Sequence, residues 1–375
     1  MLEHFARVFS EPGKAAVKFI DLADQTHRQT IVDREAGQYL GHPTTVLLED
    51  GQTILCVYPK GHGKGAILFK RSADGGLTWS ERLPTPASWA TSLETPTIHR
   101  LVDASGKKRL ILWSGLYPAR RALSEDDGAS WTELEAAGDW GGIVVMSSVA
   151  ALRTGAGHYM ALFHDDGRYF TRAGQDAAGQ IAAGIFTLYQ TISRDGGLTW
   201  ATPCPLLSPQ QANICQEIDL CEPGLIRSPD GKQLAVLLRE NSRQKNSHII
   251  FSDDEGQHWS NPRELPAVLS GDRHVGQYAP DGRLFISFRD TAFDSPTYGD
   301  WAAWVGRYED LLHGDLGQYR LRLMDNLYQG DCAYPGVEVL PDGVFVVTTY
   351  GHWQEDQPPY IVSIRLKLAE LDQIS

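Results

Sequence analysis

The sequence predicts an all-β protein, a six-bladed β-propeller of four-stranded antiparallel blades, and three features of its 375 residues carry that expectation. One eight-residue turn recurs four times in register. Short apolar hairpins recur six times, and no Pro/Gly/Ser-rich linker or low-complexity tract divides the chain. Self-similarity at this period marks an arrayed architecture in which each unit is one small sheet, so residues 1–375 are expected to form one domain.

The turns are Ser72-Ala-Asp74-Gly-Gly76-Leu-Thr78-Trp79, Ser124-Glu-Asp126-Asp-Gly128-Ala-Ser130-Trp131, Ser193-Arg-Asp195-Gly-Gly197-Leu-Thr199-Trp200 and Ser252-Asp-Asp254-Glu-Gly256-Gln-His258-Trp259. They start 52, 69 and 59 residues apart, enough for a four-stranded blade with variable loops. Asp can accept local backbone N–H bonds, Gly supplies positive φ, and Trp is expected to be buried beneath each turn. Of the hairpins, four share a tighter pattern. His42, Glu222, Arg273 and Tyr334 each stand eight positions before the Asp of an Asp-Gly turn: Asp50-Gly51, Asp230-Gly231, Asp281-Gly282 and Asp342-Gly343. Looser versions run from Thr95 to Leu112 and from Ser147 to Phe163. Closure of the ring falls to an N-terminal strand, Ala15–Ile20 or Gln29–Asp33, pairing with the C-terminal Tyr360–Leu368 segment and removing an exposed edge.

Composition narrows the function. Hydrophobic residues make up 42 % and charged residues 22 %, an ordinary globular balance, and 37 glycines and 20 prolines are spread along the whole chain. A net charge of −13 disfavours nucleic acid and anionic membranes as partners. It leaves room for a small anionic substrate in a local basic pocket. Five cysteines, at 56, 204, 215, 221 and 332, form neither a CxxC pair nor a metal spacing, and their odd number points to reduced thiols. No apolar signal core opens the chain and no run reaches membrane-spanning length, so a soluble cytoplasmic protein is expected, without metal or cofactor.

In a propeller the first strand of each blade lines the central channel. Residues at its start therefore converge on one mouth. A ring of His42, Glu222, Arg273 and Tyr334 is hard to explain by packing alone, and Arg239, at the end of the second strand of the Glu222 blade, can reach the same opening. The plain alternatives are a packed tyrosine, a bracing carboxylate and structural ion pairs. His62 and Lys64 lie in a Gly-rich loop, and Asp165 sits in His164-Asp165-Asp166-Gly167-Arg168 after a third-blade strand; a solvated turn is the alternative for each. Glu94, His99, Asp219 and His352 are weaker candidates.

These residues resemble a known family. The four turns look like the Asp boxes of the sialidase superfamily, and Glu222…Asp-Gly…Arg239 with the later Tyr334…Leu-Pro-Asp-Gly is similar to the exo-sialidases. The resemblance spans nearly the whole chain. It implies a six-bladed propeller, three arginines that clamp a substrate carboxylate, a Tyr–Glu nucleophile pair and an Asp acid/base. By position Tyr334 matches the nucleophile, Glu222 its partner, and Arg239 and Arg273 the second and third arginines. Two departures stand out. His42, in Gly41-His42-Pro43, occupies the place of the first arginine, and residues 52–72 hold no Asp or Glu where the acid/base is expected. Another group must then protonate the leaving oxygen, with His62 and Asp165 the candidates. The reaction this implies is hydrolytic release of a terminal acidic sugar, sialic-acid-like or related. A uronic-acid polysaccharide lyase and a non-catalytic carbohydrate-binding propeller are the alternatives.

Overall fold

The computed structural model describes residues 2–171, 184–208, 210–211 and 218–374; Cys215 lies outside them. Six sheets are arranged as a propeller. Their innermost strands touch in cyclic order, and the ring closes where the innermost strand of the last blade meets that of the first.

Blade 1 comprises Thr44–Leu47, Ile54–Pro59 and Ile67–Ser72, and blade 2 Pro96–Val102, Lys108–Ser114, Arg120–Ser124 and Glu135–Ala136. Blade 3 is Ile143–Ala151, Tyr159–Asp165, Thr187–Ser193 and Cys204–Pro205; blade 4 is Leu220–Arg227, Leu234–Glu240, His248–Ser252 and Arg263–Glu264. Blade 5 runs Gly271–Tyr278, Leu284–Asp290, Trp301–Gly306 and Tyr319–Met324, and blade 6 Gly336–Val339, Phe345–Gly351 and Tyr360–Leu366. Both N-terminal segments proposed for closure are used, but differently. Gln29–Asp33 pairs antiparallel with Tyr360–Leu366 and completes blade 6. Lys18–Asp21 instead adds a fifth, parallel strand to blade 5 beside Tyr319–Met324. The expectation of four strands in every blade is thus corrected: blade 1 has three and blade 5 has five. The junction between the blades that close the ring is braced by charge, with Arg82 bonded to Asp33 and Glu35, both at 2.6 Å, and Lys60 to Glu35 at 2.9 Å.

The second strand of each blade is covered on both faces by neighbouring blades. This is why Ile54–Pro59, Tyr159–Asp165, Leu284–Asp290 and Phe345–Gly351 are buried at every position, and why they read as apolar runs rather than alternating ones. The four repeated turns share one geometry. The Ser hydroxyl accepts the Gly N–H at 2.8–2.9 Å, and the Asp carboxylate accepts the N–H four residues on at 2.9 Å. Of the four turn tryptophans only Trp259 is buried; Trp79, Trp131 and Trp200 are half-buried. These three pack one face against a blade core while an edge reaches solvent at the propeller rim.

The described cysteines Cys56, Cys204, Cys221 and Cys332 are free. Among the described residues no helix is long and apolar enough to cross a membrane.

Candidate active site

The start of the innermost strand has an unusual backbone. His42, Val144, Glu222 and Arg273 take positive φ values of 53°, 52°, 51° and 54°, and Ala333, just before Tyr334, takes 58°. Each costs about 1–2 kcal/mol for a side chain with a Cβ. In blades 3, 4 and 5 the register with the second strand shifts at this point, the mark of a β-bulge. A bulge re-aims the side chain that precedes the regular strand, here toward the channel mouth. The glycines of Pro223-Gly224 and Pro335-Gly336 serve the same place: a Cβ on Gly224 would sit 2.2 Å from the His274 carbonyl oxygen, and one on Gly336 would sit 2.1 Å from the Thr45 hydroxyl. Only glycine lets adjacent innermost strands approach so closely.

Tyr334 donates its hydroxyl proton to Glu222 Oε1. Arg239 Nη1 bonds to the same carboxylate oxygen at 2.7 Å and to the Tyr334 hydroxyl at 3.3 Å. Burial alone would raise the Glu222 carboxyl, but the Arg239 charge outweighs it and holds the group below its ordinary value. Tyr334 is driven the other way, chiefly by burial and then by the Glu222 charge, so it stands as a neutral phenol beside a carboxylate.

Asp272 anchors this half of the site. It is fully buried and receives both guanidinium nitrogens of Arg243 at 2.6 and 2.7 Å, Arg289 Nε at 2.9 Å, and the charge of Arg239 Nε at 3.2 Å. Burial opposes its ionisation, but Arg289 and Arg239 overcome that and hold it well below the usual carboxylate range. The Arg289 guanidinium lies 5.7 Å from the centre of the Tyr334 ring.

Arg273 differs from these arginines. It is 4 % exposed, and among the described residues it makes neither a hydrogen bond nor an ion pair. Burial pulls it below its ordinary value, while Glu222, Tyr334 and Glu94 act on it from the mouth. Below it runs an axial cavity of about 180 Å³, lined in part by Thr44, His99, Ser148, Arg273 and Glu338.

The opposite half, from blades 6 and 1, is aromatic and histidine-rich. The His42 ring lies 4.6 Å from Tyr334, 4.5 Å from Tyr350 and 4.8 Å from His62. Its Nδ1 accepts the Gly63 N–H at 3.1 Å, which leaves Nε2–H to face the Tyr350 hydroxyl at 3.1 Å. Burial holds this imidazole well below its ordinary value, so it is neutral. Asp331 collects Tyr39 at 2.7 Å, Tyr350 at 3.2 Å, His352 at 2.9 Å and His62 at 3.3 Å.

The structure therefore brings His42, His62, Glu222, Arg239, Arg273 and Tyr334 to one end of the channel. It does not bring Asp165. That carboxylate is enclosed and accepts the N–H groups of Gly167 at 2.7 Å and of Tyr169 and Phe170 at 3.2 Å. Glu240 and Asp290 end the second strands of blades 4 and 5 in the same way, taking the N–H groups of Ser242 and Ala292 at 3.0 and 2.9 Å. Asp165 is the blade 3 copy of a carboxylate that braces its loop.

Reasoning from sequence missed Asp272, Asp331, Arg289, Tyr350 and His164. A signal was present for three of them. The next-to-last residue of each second strand is Tyr58, Trp113, His164, Arg239, Arg289 or Tyr350. Applied to every blade, the register that singled out Arg239 picks out His164, Arg289 and Tyr350 as well. His164 Nδ1 accepts the Glu222 N–H at 3.4 Å. Asp331 carries no such signal, because it lies in an irregular loop.

The fold is a six-bladed propeller, and solved structures share it. A Dyadobacter fermentans protein of unknown function matches with a TM-score of 0.67 at 15 % identity, over 91 % of this chain and 98 % of its own. The NanB sialidase of Streptococcus pneumoniae matches at 0.62 and 13 %, over 93 % and 73 %. The GH93 α-L-arabinofuranosidase of Fusarium graminearum, solved with arabinobiose, matches at 0.61 and 10 %, over 92 % and 98 %. The structural neighbours thus include glycoside hydrolases, at identities that speak to the fold. No family model and no curated relative matches the chain.

Proposed function

We propose that this protein is a glycoside hydrolase that releases a terminal carboxylated sugar, sialic-acid-like in the placement of its acid group, from a glycan. The observation that carries this is the bonded Tyr334–Glu222 pair beside Arg273, a buried guanidinium with no partner of its own among the described residues. A buried unpaired cation is costly, and an incoming carboxylate would relieve it. Arginine also suits the task because it stays charged and offers two parallel donors. Tyr334 is the nucleophile. A neutral phenol avoids the repulsion that a carboxylate would meet from an anionic sugar, and it depends on Glu222 to take its proton. Arg239 holds Glu222 ionised and in position.

The test is turnover of chromogenic glycosides of carboxylated sugars, N-acetylneuraminic acid first and glucuronic acid second. Tyr334→Phe should abolish turnover while substrate binding survives. A product absorbing in the ultraviolet would instead assign the site to elimination from a uronic acid. Binding without turnover across such a panel would make the protein a carbohydrate-binding propeller.

A further inference from the structure

We propose that His62, oriented by Asp331, is the proton donor to the leaving oxygen and the base for the attacking water; the inference rests on Tyr334 being the nucleophile. His62 comes from the loop after the second strand of blade 1, and Asp331 from the loop that enters blade 6 just before Tyr334. Their meeting is therefore a product of ring closure. Tyr39 gives its own proton to Asp331, so its oxygen is left to accept from His62 Nδ1 at 2.6 Å, and Asp331 Oδ1 lies 3.3 Å from the same nitrogen. Nδ1 is thereby fixed as a donor. Nε2 is the nitrogen left to gain and lose a proton, and the side chain is 64 % exposed. One ring, that of His42, separates it from Tyr334.

Asp331 is poorly suited to be the donor itself. Both its oxygens are occupied, by Tyr39, Tyr350 and His62 on one and His352 on the other. Burial favours its neutral form, but hydrogen bonds from His62, Tyr39 and His352 outweigh that and keep it ionised. It acts as a positioning residue that stabilises the imidazolium. The other groups facing the His62 ring are Tyr39, which burial keeps protonated, and the neutral His42; on its own loop Lys60 is paired with Glu35.

The steps balance. Tyr334 Oη bonds to the anomeric carbon as its proton passes to Glu222. The glycosidic C–O bond breaks, its electron pair stays on the leaving oxygen, and that oxygen takes the proton from His62 Nε2. Water then gives a proton to Nε2 and bonds to the anomeric carbon. The Tyr334–carbon bond breaks, and the phenolate recovers its proton from Glu222. The net reaction is hydrolysis.

Leaving-group dependence tests this, with the 4-nitrophenyl and methyl glycosides of N-acetylneuraminic acid as the pair. A nitrophenolate departs without a proton, whereas methoxide needs one. His62→Ala should lower kcat/KM on the methyl glycoside by about a hundredfold or more and on the nitrophenyl glycoside by less than about tenfold. Added imidazole should restore part of the methyl glycoside activity. Asp331→Asn should show the same preference at smaller size, and its alkaline limb should move to lower pH because the imidazolium has lost its counter-charge. Equal losses on both substrates in His62→Ala, or a leaving-group effect in Asp331→Asn alone, would overturn the donor assignment while Tyr334→Phe stayed inactive. Full activity of Tyr334→Phe on both substrates would remove the nucleophile, and this inference with it.

Discussion

The two halves of the mouth solve different problems. On the blade 4 and 5 side, Asp272 is shared by Arg239, Arg243 and Arg289, each of which forms an ion pair with that one carboxylate. On the blade 6 and 1 side, Asp331 is surrounded by phenols and imidazoles instead. A lattice of permanent charges fixes geometry and cannot readily exchange protons. A carboxylate among phenols and imidazoles is held by hydrogen bonds instead, and imidazole is the side chain suited to proton transfer near neutral pH. The contrast teaches that the ionic half sets the state of the Tyr334–Glu222 pair, while the aromatic half is where the proposed mechanism puts its proton transfers.

The sharpest way to break this comparison is to neutralise each anchor. Asp272→Asn leaves buried guanidinium groups without their counter-charge and should cost about 3–5 kcal/mol in unfolding free energy. Asp331→Asn removes one acceptor oxygen from phenol and imidazole donors and should cost about 1–3 kcal/mol. Denaturant unfolding of both variants checks the order; equal costs would erase the distinction between the halves.

Next in size is the proposed nucleophile. Tyr334→Phe should lower kcat by at least about a hundredfold with substrate binding little changed, since it removes only the attacking oxygen. Steady-state kinetics with a separate binding measurement decides it.

Arg273→Met sharpens the contrast within the arginines. Replacing a buried cation that has no partner among the described residues by an apolar chain should leave Tm unchanged or raise it. The same change should raise KM for a carboxylated substrate by roughly tenfold or more. A fall in Tm comparable to that of Asp272→Asn would mean that Arg273 has a structural partner after all.

The smallest effect is set by pH. Burial holds His164 and His274 at about 4, and it also lowers His42. In the unfolded chain each imidazole titrates at about 6.5. Between those values the unfolded chain binds protons that the folded chain refuses, so stability is fully present above about pH 6.5 and declines as pH falls toward 4. Tm should drop between pH 7 and pH 5, and His274→Gln should reduce that drop. A Tm independent of pH over this range would show that these rings titrate in the folded protein as they do in the unfolded chain.

Much of the fold was legible because propeller blades are local. The turns built on Ser72, Ser124, Ser193 and Ser252, and the Asp-Gly hairpins, are made by residues within a dozen positions of one another, so their chemistry survives as a sequence pattern. The eight-residue offset likewise carried His42, Glu222, Arg273 and Tyr334, because the same strand start is repeated around one axis. Asp165 was the exception: adjacent to a mouth residue, it points the opposite way because successive residues of a strand alternate.

What tertiary structure alone decided is whatever joins distant segments without a repeat. The parallel strand Lys18–Asp21 depends on an edge offered by blade 5, some 300 residues on. The three half-buried tryptophans depend on how far the neighbouring blade extends over each turn. Asp272 became an anchor only because Arg239, Arg243 and Arg289 arrive from two blades. Asp331 meets His62 only because the ring closes between blades 6 and 1. Sequence records what a strand or turn needs for itself; which side chains share a proton or a charge across the mouth is fixed by closure, which brings the two ends of the chain together.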